Sequence, residues 1–326
     1  MQVSWDYDRF SESDKKRRNE KFFEKISLGP TSRPCIIIDT QGKILMWYLP
    51  ALLLPTRVVR MTVRFDPPAD LSQEQLNTFV MGLRSHLLHA LQANRSKSWR
   101  QEGFVGQPEE LGLGAGQLSI AVGRFAIGHK VSAKMDLYSH QVNWLSNQRL
   151  IDPIKPSASL HSAEVQKWLS QMQPMEQFLD AVLRVVHPEL WTANIAAAEK
   201  LVQQLPSSAP SWPTSFTGMD LIVNRVTPPH LDGGGAVTFY DHLLSLGFSH
   251  QATLALEDLE AEFAYGPGTS VFLTGKVLTH SVPAWSGGER VVIAHYSKDD
   301  VHDRLGIPQP TLPTQLGLLA LFTAST

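Results

Sequence analysis

Apolar and polar residues alternate along this chain with two different periods, and the switch between them divides it. Cys35-Ile36-Ile37-Ile38 and Ile44-Leu45-Met46-Trp47-Tyr48-Leu49 are apolar runs separated by Asp39-Thr40-Gln41-Gly42-Lys43. This predicts a β-hairpin, ended by Pro50 and Pro55. Residues 72–91 carry Leu76, Phe79, Val80, Leu83, Leu87, Leu88 and Leu91 at intervals that line one helical face, with Ser72 and Gln75 spaced as a capping box. The helical interval returns over 163–186 (Val165, Leu169, Met172, Met175, Phe178, Leu179, Val182, Leu183, Val186), with a bend expected at Pro174, and over 195–205. Between these helices, 103–116 is glycine-rich and reads as a loop, 117–122 reads as a strand, and 124–156 has no clean period.

From residue 215 the texture becomes short β-like runs, at 219–226, 236–240, 252–256, 261–265, 270–274, 277–281 and 290–296, with turns at Gly266-Pro267-Gly268 and Gly275-Lys276. Such spacing predicts an all-β barrel or jelly roll, and the preceding helices would buttress one of its sheets, an α+β arrangement. The expected organisation is a polar arm over 1–30 and one domain over 31–326. Within that domain, 31–214 supplies the hairpin and helical support, 215–305 the β core, and 306–326 a tail.

Composition narrows the partners. The chain has 326 residues, 43% hydrophobic and 18% charged, the profile of a globular protein. No apolar run approaches the roughly 20 residues of a membrane helix. A single cysteine, Cys35, excludes an internal disulfide and a cysteine-built zinc site. Charged residues from Asp6 onward leave no apolar signal core, so secretion is not expected. The net charge of −2 gives no global basic field for nucleic acid, so any such binding needs a local patch. Lys15-Lys16-Arg17-Arg18 with Lys21 and Lys25 is one, readable as a nuclear-import cluster or phosphate-contacting arm, or as a solvated helix face balanced by Asp14, Glu20 and Glu24.

The candidate chemistry lies between Asn224 and Lys298. His230 and Asp232 flank one residue, so on an extended strand both side chains leave from the same face. With His280 they make two histidines and one carboxylate, the set that leaves open positions on a non-haem Fe(II). Arg290, at the start of the last strand, suits an anionic cosubstrate, because a guanidinium binds a carboxylate bidentately and stays charged when buried. Val292, Ala294 and Tyr296 share its face. Arg225 and Asn224 are further cosubstrate candidates, or exposed residues at a strand end. His242, His250, His295 and His302 pair with nothing in this set and read as ordinary histidines.

The phrases Asn224-Arg225-Val226-Thr227-Pro228-Pro229-His230-Leu231-Asp232, Phe239-Tyr240-Asp241, Tyr265-Gly266-Pro267-Gly268-Thr269, Gly275-Lys276-Val277-Leu278-Thr279-His280 and Gly288-Glu289-Arg290-Val291 resemble the TET/JBP family of 2-oxoglutarate/Fe(II) dioxygenases, its fungal TET-like branch above all. Ile37-Ile38-Asp39, Trp47-Tyr48-Leu49-Pro50 and Val186-His187-Pro188-Glu189-Leu190 extend the resemblance over about 34–305. It implies a double-stranded β-helix with Fe(II) on His230, Asp232 and His280, and 2-oxoglutarate on Arg290, with Arg225 and Asn224 nearby. The implied reaction uses O2 to oxidise the methyl group of a flipped-out methylated base in DNA, by a monomeric, nuclear enzyme. Gly235 and Lys298 stand where relatives carry a base-reading acid and histidine. Together with Tyr296 they are the candidate substrate contacts, and they leave both 5-methylcytosine and N6-methyladenine open. RNA, protein or small-molecule substrates, and a catalytically idle binding module, are the alternatives.

Overall fold

The computed structural model describes residues 26–53, 115–124, 154–204 and 212–323. The expected helix over 72–91, the 103–114 loop, the basic cluster at 15–18 and most of 124–156 lie outside the described residues.

Thirteen strands are described: β1 (Leu28–Thr31), β2 (Cys35–Ile38), β3 (Ile44–Leu49), β4 (Gly116–Ala121), β5 (Gly218–Val223), β6 (Thr227–His230), β7 (Asp241–Phe248), β8 (Gln251–Leu256), β9 (Ala261–Ala264), β10 (Ser270–Leu273), β11 (His280–Val282), β12 (Trp285–Ser286) and β13 (Glu289–Tyr296). They form a larger sheet of order β2-β3-β10-β7-β13-β5-β4 and a smaller one of order β1-β9-β8-β11-β6, with β12 on β8. Strands β5, β7, β10 and β13 belong to the larger sheet, and β6, β8, β9 and β11 to the smaller. From β5 to β13 the backbone therefore passes back and forth between the two layers, with the β8–β9 hairpin and the β11–β12 step staying within the smaller. This winding is a double-stranded β-helix, as expected. The β2-β3 hairpin extends the larger sheet beyond β10, and β4 extends it beyond β5.

Two hydrophobic layers hold the structure together. The first lies between the sheets and includes Tyr48, Phe239, Tyr240, Phe263, Phe272 and Val292. The second lies on the outer face of the larger sheet, where Leu118, Ile120, Met219, Leu221, Val223, Val291 and Ile293 meet helix α1 (Ala163–Val186) and helix α2 (Pro188–Gln204). Because the sheet is covered on both faces, β13 is buried along most of its length instead of alternating with solvent. The α+β arrangement with helices bracing one sheet stands. Helix α1 runs unbroken through Pro174 and starts at Ser162, whose side chain accepts from Val165 N.

Four local expectations change. The run 236–240 is not a strand: Phe239 N donates to Ala236 O at 3.1 Å in a turn, and the strand begins at Asp241. Its apolar residues anchor a loop, with Phe239 and Tyr240 buried and Tyr240 Oη donating to Ile44 O at 2.6 Å. Residues 277–279 are also a turn, closed by Val277 N and Leu278 N on Thr274 O, so His280 opens a strand and does not end one. Thr227–His230 is a strand despite Pro228-Pro229, because β6 is the edge of its sheet, where a missing N–H is tolerated. Helix α2 begins at Pro188, seven residues before its apolar pattern, with proline in the first turn where the N–H would be unsatisfied anyway.

Candidate metal centre

The edge strand β6 and the short β11 pair antiparallel with His230 directly opposite His280. That register makes neighbours of two residues 50 positions apart. Asp232 follows β6 by two residues, and its backbone is fixed by Asp232 N donating to Gly275 O at 2.9 Å. His230 Nε2 then lies 3.6 Å from Asp232 Oδ1, and His280 Nε2 lies 3.4 Å from Asp232 Oδ2. One ligand atom from each of the three residues falls within 4.8 Å of the others, a separation one metal ion can span.

The imidazoles are already in the correct tautomer. His230 Nδ1 is 3.0 Å from Pro228 O, and His280 Nδ1 is 3.0 Å from Leu278 O. A carbonyl only accepts, so each Nδ1 carries the proton and each Nε2 presents its lone pair to the centre. Burial holds His280 below the ordinary histidine value, against the pull of Asp232, and so favours the neutral form that ligates. His280 is buried while His230 and Asp232 are half-exposed, which leaves the centre open on one side.

Inside the sandwich, β13 presents Arg290. It is 1% exposed, its Nη1 donates to Arg225 O at 2.7 Å, and its Nε has no hydrogen-bond partner among the described residues. Among the described residues no carboxylate lies within ion-pair distance of it. Burial lowers its pKa to about 10, which still leaves it charged at neutral pH. A buried, charged, uncompensated guanidinium is costly unless an anion joins it. Asn224 and Arg225 are both buried and not at an exposed strand end. Asn224 is held in the left-handed region (φ 47°), and its Oδ1 accepts from Arg290 N at 2.9 Å. Its side-chain oxygen therefore fixes the Arg290 backbone. Arg225 Nη1 donates to Gln117 Oε1 at 3.2 Å, on β4, with Asp220 nearby.

Gly233-Gly234-Gly235 follow Asp232 directly in the chain, and Tyr296 and Lys298 gather at them. The Lys298 ammonium lies 4.9 Å from the Tyr296 ring centroid and against Gly234, where an added Cβ would collide with it. Gly234 O accepts from Asp299 N at 3.1 Å, and Gly235 lies against Ser297 O, so the glycine loop is tied to the start of helix α3 (Asp299–Leu305). Tyr296, Lys298 and the glycines are thus brought together beside the metal ligands.

Three contributors escaped the sequence reading. Asp241 is buried against Asp232; burial first, and then the Asp232 charge, push its carboxyl well above the usual range. Gly275 packs so closely that a Cβ would meet the Asp232 and Asp241 carboxylates. Tyr265 lies beside Arg290, with its ring centroid 5.9 Å from the guanidinium carbon. All three sit inside motif phrases, but nothing in residue type or spacing separates them from ordinary turn and strand residues.

The remaining histidines stay outside the centre but are not all bland. His242 Nδ1 and His295 Nδ1 are 3.1 Å apart, His242 Nε2 is 2.8 Å from Ser270 Oγ, and His295 Nε2 lies 3.0 Å from a Glu176 carboxylate oxygen on α1. Burial pulls His295 down, but Glu176 and Asp180 hold it above its ordinary value, while burial keeps His242 neutral. This network bonds the larger sheet to its helix through buried polar groups.

Residues 139–299 match the Tet_JBP family, the oxygenase domain of the 2OGFeDO superfamily. Among solved structures, that of NgTET1 in complex with 5mC DNA is similar at 17% identity and a TM-score of 0.48, over 92% of this chain and 88% of that one. No curated protein matches the chain.

Proposed function

We propose that the chain, whose residues 139–299 match the Tet_JBP oxygenase domain, is an Fe(II)- and 2-oxoglutarate-dependent dioxygenase that oxidises the methyl group of a methylated base in DNA, 5-methylcytosine first. One observation carries the cofactor half of this reading. A two-histidine, one-carboxylate set with both Nε2 atoms on the centre shares the sandwich with a buried arginine that has no carboxylate partner among the described residues. With Fe(II), 2-oxoglutarate and O2, such a centre supplies hydroxylation of a C–H bond coupled to decarboxylation of the keto acid.

The residues divide the work. His230, Asp232 and His280 would hold the metal, and the buried His280 shields one flank of it. Arg290, with its backbone fixed by Asn224, would bind the keto acid by its far carboxylate. A base stacked in a duplex cannot reach the centre, so the target must be unstacked into the pocket at a cost of a few kcal/mol. There the glycine loop permits close approach of the backbone, and the Lys298 ammonium, resting on Tyr296, offers hydrogen-bond donors. A nuclear location goes with such a substrate.

N6-methyladenine is the second reading. A cytosine amino group is best read by a carboxylate acceptor, and Gly235 supplies none. Incubation with Fe(II), 2-oxoglutarate and matched duplexes carrying 5-methylcytosine, N6-methyladenine or thymine, followed by mass spectrometry of the nucleosides, tests both. Oxidised 5-methylcytosine is expected. Loss of N6-methyladenine alone moves the reading to the second base. Turnover of 2-oxoglutarate with all three duplexes intact would remove DNA as the substrate.

A further inference from the structure

All three candidate ligands depend on one short segment. His280 opens β11, a strand of three residues, and His230 lies directly opposite it on the edge strand β6. Asp232 N donates to Gly275 O, in the turn that leads into β11. On its other side β11 pairs with β8, where His280 faces Leu256 and Ser281 faces Ala255. The segment 275–281 therefore ties the whole centre to the rest of the sheet, and a strand this short has few ladder bonds with which to do it.

Two carboxylates add to that ladder. The chain leaves β8 in a single 3-10 turn, Glu257–Leu259, anchored in the core by Leu256 and Leu259. Glu257 N donates to Thr279 O at 2.9 Å, and the Asp258 carboxylate accepts in return from Thr279 N at 2.7 Å. Past the ligand, the buried Ser281 Oγ donates to Glu257 Oε1 at 2.5 Å. The residues immediately before and after His280 are thus each bonded to a carboxylate.

The Asp258 contact reaches further than the backbone. Thr279 N and Leu278 O belong to one peptide unit, which is planar, so fixing its N–H also fixes the direction of its carbonyl. Leu278 O is the acceptor for His280 Nδ1 at 3.0 Å. Asp258, the peptide and the imidazole form a chain of hydrogen bonds that ends at His280 Nε2, 3.4 Å from Asp232 Oδ2. Direct contact of a carboxylate with a metal-bound histidine orients the ring in many metal sites; here a peptide stands between them.

We infer that Asp258 is a positioning residue for the metal centre, orienting the His280 imidazole through the Leu278–Thr279 peptide, while Glu257 pins the other side of the ligand through Ser281. This rests on the proposed metal binding at His230, Asp232 and His280. Asp258 itself touches neither the metal nor the substrate.

Co(II) added to the full chain tests this by calorimetric affinity and by the visible absorption of the bound ion, with urea unfolding of the metal-free protein measured alongside. Asp258→Ala is expected to weaken Co(II) about tenfold to a hundredfold, as loss of an outer partner of a ligating histidine does, and to shift the absorption bands because the ring turns. Asp258→Asn keeps an oxygen that accepts from Thr279 N, and should restore the parental spectrum and most of the affinity. Ser281→Ala, which removes the Glu257 contact alone, is expected to weaken Co(II) in the same direction. Lower urea stability with parental affinity and spectrum in Asp258→Ala and Ser281→Ala would make both contacts merely structural and overturn the inference. Equal loss in Asp258→Asn and Asp258→Ala overturns it too, since charge and not orientation would then be acting. Asp232→Ala separates the underlying reading: if it binds Co(II) as tightly as the parent, these three residues do not hold the metal and both proposals fall.

Discussion

Gly275 has no side chain, and the geometry of the candidate metal centre depends on that. Its N–H and carbonyl lie in the turn before His280, the carbonyl accepts from Asp232 N, and a Cβ would strike the carboxylates of Asp232 and Asp241. Gly275→Ala is therefore expected to push Asp232 aside and lower Mn(II) affinity at least roughly tenfold, at a folding cost within the roughly 1–3 kcal/mol of an overpacked site. Unchanged metal affinity would mean that the carboxylates move freely. His187 makes a second residue-level prediction. Its Nδ1 accepts from Leu190 N at 3.2 Å, so its Nε2 carries the proton donated to Thr238 O at 2.9 Å, and burial lowers its pKa to about 4. In the unfolded chain a histidine titrates near 6.5, so the unfolded state binds the proton first as pH falls. The stability from neutral His187 is complete above about 6.5, declines between 6.5 and 4, and is gone below, on the order of 3 kcal/mol in all. His187→Asn should flatten the urea-midpoint curve between pH 6.5 and 4; an unaltered slope would refute it. The four residues that spacing picked out, His230, Asp232, His280 and Arg290, were legible because their types are rare in such company. Gly275, Asp241 and Tyr265 were not, since what matters about them is which atoms approach them.

Among the elements, helix α1 shows how support and site are separated. Trp168 is 1% exposed on the helix face that packs against the larger sheet, away from the layer containing Arg290. Trp168→Ala is expected to cost about 3–5 kcal/mol in urea unfolding, while Mn(II) affinity of the folded protein stays at the parental value; a parallel loss of metal affinity would show that the helix positions the ligands. Helix 163–186 was readable because an amphipathic face repeats over seven turns. The first half of α2 was not, since its start is marked by a proline and a histidine cap. The run 236–240 misled for the opposite reason, because Phe239 and Tyr240 are apolar to anchor a loop, while the strand that follows contains His242 and Ser245, buried against other polar groups.

For the whole molecule, the two hydrophobic layers lie between and behind the sheets and do not include the candidate ligands His230, Asp232 and His280. Removing metal should therefore leave the protein folded but less stable. Mn(II) at a hundredfold excess over its dissociation constant is expected to add about 2.7 kcal/mol, seen as a raised thermal midpoint that a chelator reverses. The Asp232→Ala variant should show no such rise. A midpoint independent of Mn(II) in the parent would sink the metal assignment, and complete unfolding on chelation would show that the metal, and not the core, holds the sheets together.

The helix over 163–186, the β texture from residue 215 and the candidate ligand types are local properties. Side-chain period, turn residues and the single-residue spacing of His230 and Asp232 express them without reference to distant residues, so the sequence alone determined them. Tertiary structure decided the rest. The register that faces His230 with His280, the burial of Arg290 and the approach of Tyr265 to it depend on which distant strands meet. Pairing across two sheets is set by the packing of the whole core, and no local pattern encodes it.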